Sequence, residues 1–181
     1  MNNSLLRLIV MGVSGCGKST MATALGEQLG LEMVDGDDLH HPTSVAKMRS
    51  GIALEDADRW PWLDRIGDFL AQAQAPGRVV ACSALKLAYR NRIREQAGPV
   101  RFLFLNGSFE LIDERMRQRV GHYMQTNLLA SQFQALEIPQ PDESDVITLP
   151  INQPVAELVK QALASLQAHG DHAPYRIQAA H

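Results

Sequence analysis

Gly12-Val13-Ser14-Gly15-Cys16-Gly17-Lys18-Ser19 decides how this chain is read, because it fits the spacing G-x-x-x-x-G-K-[ST]. Before it, Leu5 to Met11 is a nearly continuous apolar run, the pattern of a parallel strand covered on both faces. After it, Met21, Ala24, Leu25 and Leu29 recur at helical spacing over Thr20 to Leu29, and Gly30 follows as a stop. A glycine loop between strand and helix turns successive backbone N–H groups inward, and the positive end of the helix favours the same anion. Gly12, Val13, Ser14, Gly15, Cys16, Gly17, Lys18, Ser19 and Thr20 are therefore expected to bind the phosphates of ATP or GTP. Lys18 is expected at the β- and γ-phosphates and Ser19 on Mg²⁺, with Thr20 assisting.

Outward from the loop the same alternation continues. Leu31 to Val34, Arg78 to Cys82, Val100 to Leu105 and Asp145 to Leu149 are strand candidates, and most of the segments between them have helical spacing. Strands alternating with helices predict a three-layer α/β domain. Pro154 to Leu166 carries Val155, Leu158, Val159, Ala162 and Leu166 on one stripe and reads as the closing helix, with Pro154 in its first turn. Residues 1–168 form the expected domain, and His169 to His181 reads as a mobile tail.

The whole-chain figures agree with a small-molecule partner. With 181 residues, 45% of them hydrophobic, the chain can bury one sizeable core. A formal charge of −3 gives no general attraction to nucleic acid or to an anionic membrane. Cys16 and Cys82 lack the spacing of a zinc site or a disulfide framework, so a reducing cytoplasm is expected. The apolar run at Leu5 is too short for a spanning helix. Cys16 also sits near a helix N-terminus, a position that would lower its thiol pKa and sensitise the loop to oxidants.

A phosphate loop serves kinases, switches and motors alike, so other residues must choose among them. The chain contains no Asn-Lys pair, which a guanine-reading switch would require. Asp35-Gly36-Asp37 follows the second strand, so both carboxylates are expected at the C-terminal edge of the sheet, where α/β ligands bind. Asp37 could orient an acceptor hydroxyl and receive its proton while Asp35 holds Mg²⁺, or the roles could be exchanged. An aspartate-rich turn is the plain alternative.

Beyond the loop, the chain shows Asp35-Gly36-Asp37-Asp38-Leu39-His40, Lys47-Met48, Gly51 through Leu54, and Asp56-Ala57-Asp58-Arg59-Trp60-Pro61-Trp62-Leu63. A further block, Ala81-Cys82-Ser83-Ala84-Leu85-Lys86, runs into Tyr89-Arg90. In these blocks the chain resembles the gluconate kinases, relatives of the shikimate and nucleoside-monophosphate kinases. It departs from the family pattern at His41, Ser44, Ala53 and Ile138. The resemblance implies the P-loop kinase fold with five parallel strands in the order 2-3-1-4-5, a small helical lid near residues 115–137, and a homodimer. It also implies transfer of phosphate from ATP to the C6 hydroxyl of D-gluconate.

Gluconate carries a carboxylate and a row of hydroxyls, so its pocket should combine cations with fixed hydrogen-bonding groups. His40, Lys47, Ser83, Lys86, Tyr89 and Arg90 are the candidates beside Asp37, whereas Trp60-Pro61-Trp62 reads as a packing corner. In the lid, Arg115 and Arg119 share a helical face, and one or both are expected to approach adenine or the transferring phosphates, with Arg119 the catalytic candidate and His122 completing the cover. Gln153 lies in the turn where this kinase group passes beside adenine. Phosphorylation of another sugar acid or of a shikimate-like polyol, and a catalytically silent nucleotide-binding module, are the alternatives.

Overall fold

The double-sided apolar character of the first strand has its reason in the computed structural model, which describes residues 5–118 and 126–170. Strands β1 (Leu6–Met11), β2 (Glu32–Asp35), β3 (Gly77–Ala81), β4 (Arg101–Asn106) and β5 (Val146–Pro150) form one parallel sheet in the order β2-β3-β1-β4-β5. The helices are α1 (Lys18–Leu29), α2 (Pro42–Arg49), α3 (Asp56–Ala71), α4 (Leu87–Ala97), α5 (Phe109–Gln118), α6 (Thr126–Ala135) and α7 (Val155–Ala168), with a 3₁₀ turn at Gly36–Leu39. Leu6, Leu8 and Val10 of the central strand pack in one core with α1 and α7, while Ile9 and Met11 pack in another with α3 and α4. Leu103 and Leu105 join the first core and Phe102 and Phe104 the second, so β4 needs apolar residues at successive positions for the same reason.

The expected strand order and the expected elements are present, with ends displaced by one or two residues. Parallel connectivity brings the exits of β1, β2 and β3 to one edge, which gathers the phosphate loop, the Asp35–Asp37 turn and the Ser83–Lys86 segment. Gly17 enters α1 at φ 98°, a left-handed conformation that a side chain rarely tolerates. At Gly36 the constraint is closeness: a Cβ there would lie 2.6 Å from the carbonyl oxygen of Ala81, so the acidic turn presses directly on β3.

Two local expectations change. Trp60-Pro61-Trp62 lies inside α3 instead of at a corner, and Pro154 is the residue just before α7. Of the expected lid, Arg115 ends up in the last turn of α5, and α6 is a separate helix. Arg119 and His122 lie outside the described residues, as does the tail from 171 onward, while His169 and Gly170 close the end of α7 through backbone bonds to Ser165 and Gln167. Among the described residues, no helix is long and apolar enough to cross a membrane.

Candidate active site

A cleft of about 1100 Å³ opens where these loops converge. Its walls are the phosphate loop, Asp35, Asp37 and His40 after β2, and the Met48–Leu54 rim beyond α2. Asp56, Arg59 and Trp62 of α3, Ser83, Lys86 and Tyr89 after β3, and Leu128, Ser131 and Gln132 of α6 complete it. At the loop end, Lys18 Nζ donates to the Val13 carbonyl at 3.0 Å, folding across the loop. The Ser19 hydroxyl donates to Asp35 Oδ2 at 2.6 Å, while Asp35 Oδ1 accepts the Asp37 backbone N–H at 3.0 Å. Asp35 is thereby held against the loop and Asp37 is left facing the cleft.

The walls around Asp37, and next the neighbouring Asp35 carboxylate, push its carboxyl above the usual carboxylate range. Its side chain is 88% exposed to the open cleft, so solvent screens this push until ligands exclude the water. His40 has the opposite setting. Its ring is stacked on Trp62 with centroids 4.2 Å apart, its side chain is 5% exposed, and burial pulls its pKa down. It faces Asp37 as a neutral imidazole at 4.0 Å, and its buried Nδ1 has no hydrogen-bond partner among the described residues.

At the far end of the cleft the side chains form a connected set. The Tyr89 hydroxyl donates to Asp56 Oδ1 at 2.5 Å, Lys86 Nζ reaches the same carboxylate at 3.2 and 3.3 Å, and Arg59 donates to the Tyr89 oxygen at 3.3 Å. Tyr89 and Lys86 together hold the Asp56 carboxyl below its usual range. Two cations, a hydroxyl and a carboxylate thus face one space, the mixture suited to a small polyhydroxylated acid.

Several expected contacts are redirected. Arg90 does not line the cleft: it is 1% exposed, forks onto Glu143 at 2.8 and 2.7 Å, and donates to the carbonyls of Ala84 and Leu85. A spacing of four would let Lys86 and Arg90 share one helical face, but Lys86 is the extended N-cap residue before α4, and Arg90 turns inward within the helix. Lys47 is drawn to Asp58 at 2.7 Å, away from the cleft wall. Arg115 donates to the Ile151 carbonyl at 2.6 Å, and Gln153 bonds to Pro150 and Gln161 at the surface. Cys16 is buried under the loop, and that burial raises its thiol pKa against the opposing pull of Lys18, the reverse of the helix-terminus expectation.

Asp56, Arg59 and Gln132 are cleft residues that the sequence did not assign to the site, and Trp62, expected in a packing corner, lines the cleft as well. For the first two a signal existed: a carboxylate and a cation three apart in the first turn of a helix share a face. Trp62 also braces the acidic turn, since its indole N–H donates to the Gly36 carbonyl at 2.7 Å. Gln132 carried no signal, because its partner lies 118 residues away.

Residues 8–137 match the AAA domain family. The chain is 42% identical over 163 residues to the thermosensitive gluconokinase of Escherichia coli (strain K12), spanning 88% of this chain and 87% of that protein. A crystal structure of a gluconokinase from Sinorhizobium meliloti 1021 superimposes with a TM-score of 0.83 at 44% identity, covering 92% of this chain and 94% of that one. Shikimate kinase from Aquifex aeolicus shares the fold at a TM-score of 0.59 and 18% identity, over 91% and 98% of the two chains. A phosphate loop opening onto a cleft of mixed charge, in a chain this similar over most of its length, shows that the protein belongs to the gluconokinase family of P-loop proteins.

Proposed function

We propose that this protein transfers the γ-phosphate of ATP to the C6 hydroxyl of D-gluconate, giving 6-phospho-D-gluconate and ADP. The observation that carries this reading is one continuous cleft with the phosphate loop at one end, Asp37 between, and the Lys86–Asp56–Tyr89–Arg59 set at the other. The gluconate carboxylate pairs with Lys86 or Arg59, and its hydroxyls exchange hydrogen bonds with Asp56, Tyr89 and Ser83. That anchoring directs the opposite end of the acceptor, C6, toward the loop.

Asp37 aligns the C6 hydroxyl and takes its proton as the new O–P bond forms and the bond to the ADP oxygen breaks. A carboxylate suffices because the attacking oxygen becomes acidic late in a loose transition state. Lys18 leaves the Val13 carbonyl for the β- and γ-oxygens, where its charge stabilises the moving phosphoryl group. Ser19 Oγ and Asp35 Oδ2, 2.6 Å apart, offer the hard oxygen donors that fit Mg²⁺ alongside nucleotide phosphates and water. Bound there, the ion would neutralise phosphate charge.

ADP release measured with gluconate, shikimate, other sugar acids, nucleoside monophosphates or no acceptor tests the assignment. Stimulation by gluconate well above every other acceptor is expected. Stimulation by another acid alone would reject the acceptor, and ATP binding without stimulation by any of them would identify a silent binding module.

A further inference from the structure

One backbone donor of the phosphate loop is already taken. Oε1 of Gln132 accepts the Ser14 N–H at 2.6 Å, and Nε2 of the same carboxamide donates to the Ser14 hydroxyl at 2.8 Å. Both ends of the side chain therefore read one residue of the loop. Exchanging the amide oxygen and nitrogen would oppose donor to donor at the backbone, so the orientation is set by the hydrogen-bonding pattern. An oxygen on an inward-turned N–H of such a loop stands where a phosphate oxygen would stand.

We propose that Gln132 is a γ-phosphate-binding residue carried by α6, a role that rests on the kinase reading above. A phosphate oxygen bears charge and is the stronger acceptor, so it displaces the carboxamide oxygen from the Ser14 N–H. The displaced side chain cannot withdraw far, because α6 is anchored from Leu129 onward. Leu129 is fully buried, Phe133 packs edge-on to Phe109 with centroids 5.5 Å apart, and Glu137 just beyond the helix bonds to Leu85 and Leu87. Rotation of the terminal amide then turns Nε2 toward the oxygen that took its place. The same side chain imitates phosphate when the loop is empty and donates to phosphate when it is filled. Ser131 and Gln132 line the cleft that the loop shares with Asp37, so α6 borders the space between loop and acceptor, and the γ, the phosphoryl group that moves to the acceptor, is the one assigned to it.

The test compares two nucleotides in one protein. The non-hydrolysable ATP analogue AMP-PNP and ADP are titrated, each with Mg²⁺, into the unaltered protein, Gln132→Ala and Gln132→Glu, after matching melting temperatures confirm that each is folded. Loss of one hydrogen bond to a charged group should raise the ratio Kd(AMP-PNP)/Kd(ADP) about tenfold in Gln132→Ala. The rise should be larger in Gln132→Glu, which keeps an acceptor for Ser14 but sets a negative charge against the γ-phosphate. A residue that merely docks α6 would weaken both nucleotides together, so a ratio within twofold of the unaltered protein in both variants overturns the proposal. Failure of the unaltered protein to bind either nucleotide would overturn the kinase reading along with it.

Discussion

At the residue scale, Asp37 and Cys16 show how two influences on one group are ranked by place. A thiol beside a helix N-terminus feels the helix field, but Cys16 is also buried, and burial wins, so its pKa rises and the reactive thiolate is suppressed. Asp37 has its side chain open to the cleft, yet desolvation by the surrounding walls, and next the Asp35 carboxylate, push its carboxyl upward. Since the ionised form aligns the acceptor and takes its proton, turnover should rise with pH through a midpoint above the ordinary aspartate value of about 3.9. Asp37→Asn should lower kcat by roughly 10²–10⁴ and abolish that acid limb while leaving ATP affinity within a few fold. A pH profile of kcat/KM with parallel nucleotide titration checks this, and an equal loss of ATP binding would move Asp37 to the metal. Residue type and position after a strand made Asp37 legible in the sequence; the neutral His40 beside it was legible only as a polar candidate, because its stacking on Trp62 depends on how α3 packs.

At the element scale, α4 shows how a helix start positions acceptor groups. Lys86 is its N-cap residue and offers no side-chain cap, so the first helical N–H, that of Leu87, would lack a partner. Glu137 fills the role from outside: its Oε2 accepts that N–H at 2.6 Å and its own N–H donates to the Leu85 carbonyl at 2.8 Å. Replacing Glu137 by Ala should cost about 1 kcal/mol in urea unfolding, the usual size of a lost N-cap. It should also raise KM for gluconate several-fold with ATP KM little changed, because the turn carrying Lys86 loosens, and Glu137→Gln should recover most of both. Equal effects on the two KM values would mean that the whole cleft, not α4, had shifted. Nothing local in the sequence marks Glu137 as a cap, because its capping partner lies 50 residues earlier.

At the scale of the whole molecule, the redirected arginines join distant segments. Arg90 and Arg94 of α4 converge on Glu143, and Arg94 also forks onto Asp145 at the entry to β5, tying α4 to the far edge of the sheet. Arg90 also supports the carbonyl of Ala84, a non-glycine residue at φ 43°, within the segment that carries Ser83 and Lys86. Its guanidinium, and less so that of Arg94, lowers the Glu143 pKa from 4.5 to about 2. Because the folded value is the depressed one, the pair's stabilisation is complete above the ordinary value and fades as pH falls toward 2. Glu143→Ala leaves Arg90 buried without its counter-charge and should cost about 3–5 kcal/mol near neutral pH. The gap in unfolding free energy from the unaltered protein should narrow between pH 4.5 and 2; a constant gap would assign the loss to packing alone.

By itself the sequence determined the phosphate loop, the alternation of strands and helices, and the acidic turn after the second strand. Each of these is a local pattern, in which backbone geometry needs particular residues within a few positions, and the two-faced apolar runs announced a covered parallel sheet. Only the tertiary structure decided which cation meets which anion. Lys86, Arg90 and Lys47 are equivalent charges in a sequence, but the packing of α3 and α4 gives Lys86 to Asp56 at the cleft, the turn before β5 gives Arg90 its buried Glu143, and the approach of α2 to α3 gives Lys47 to Asp58 at 2.7 Å. It likewise brought Gln132 onto Ser14, since side chains pair by the path of the folded chain and not by their separation along it.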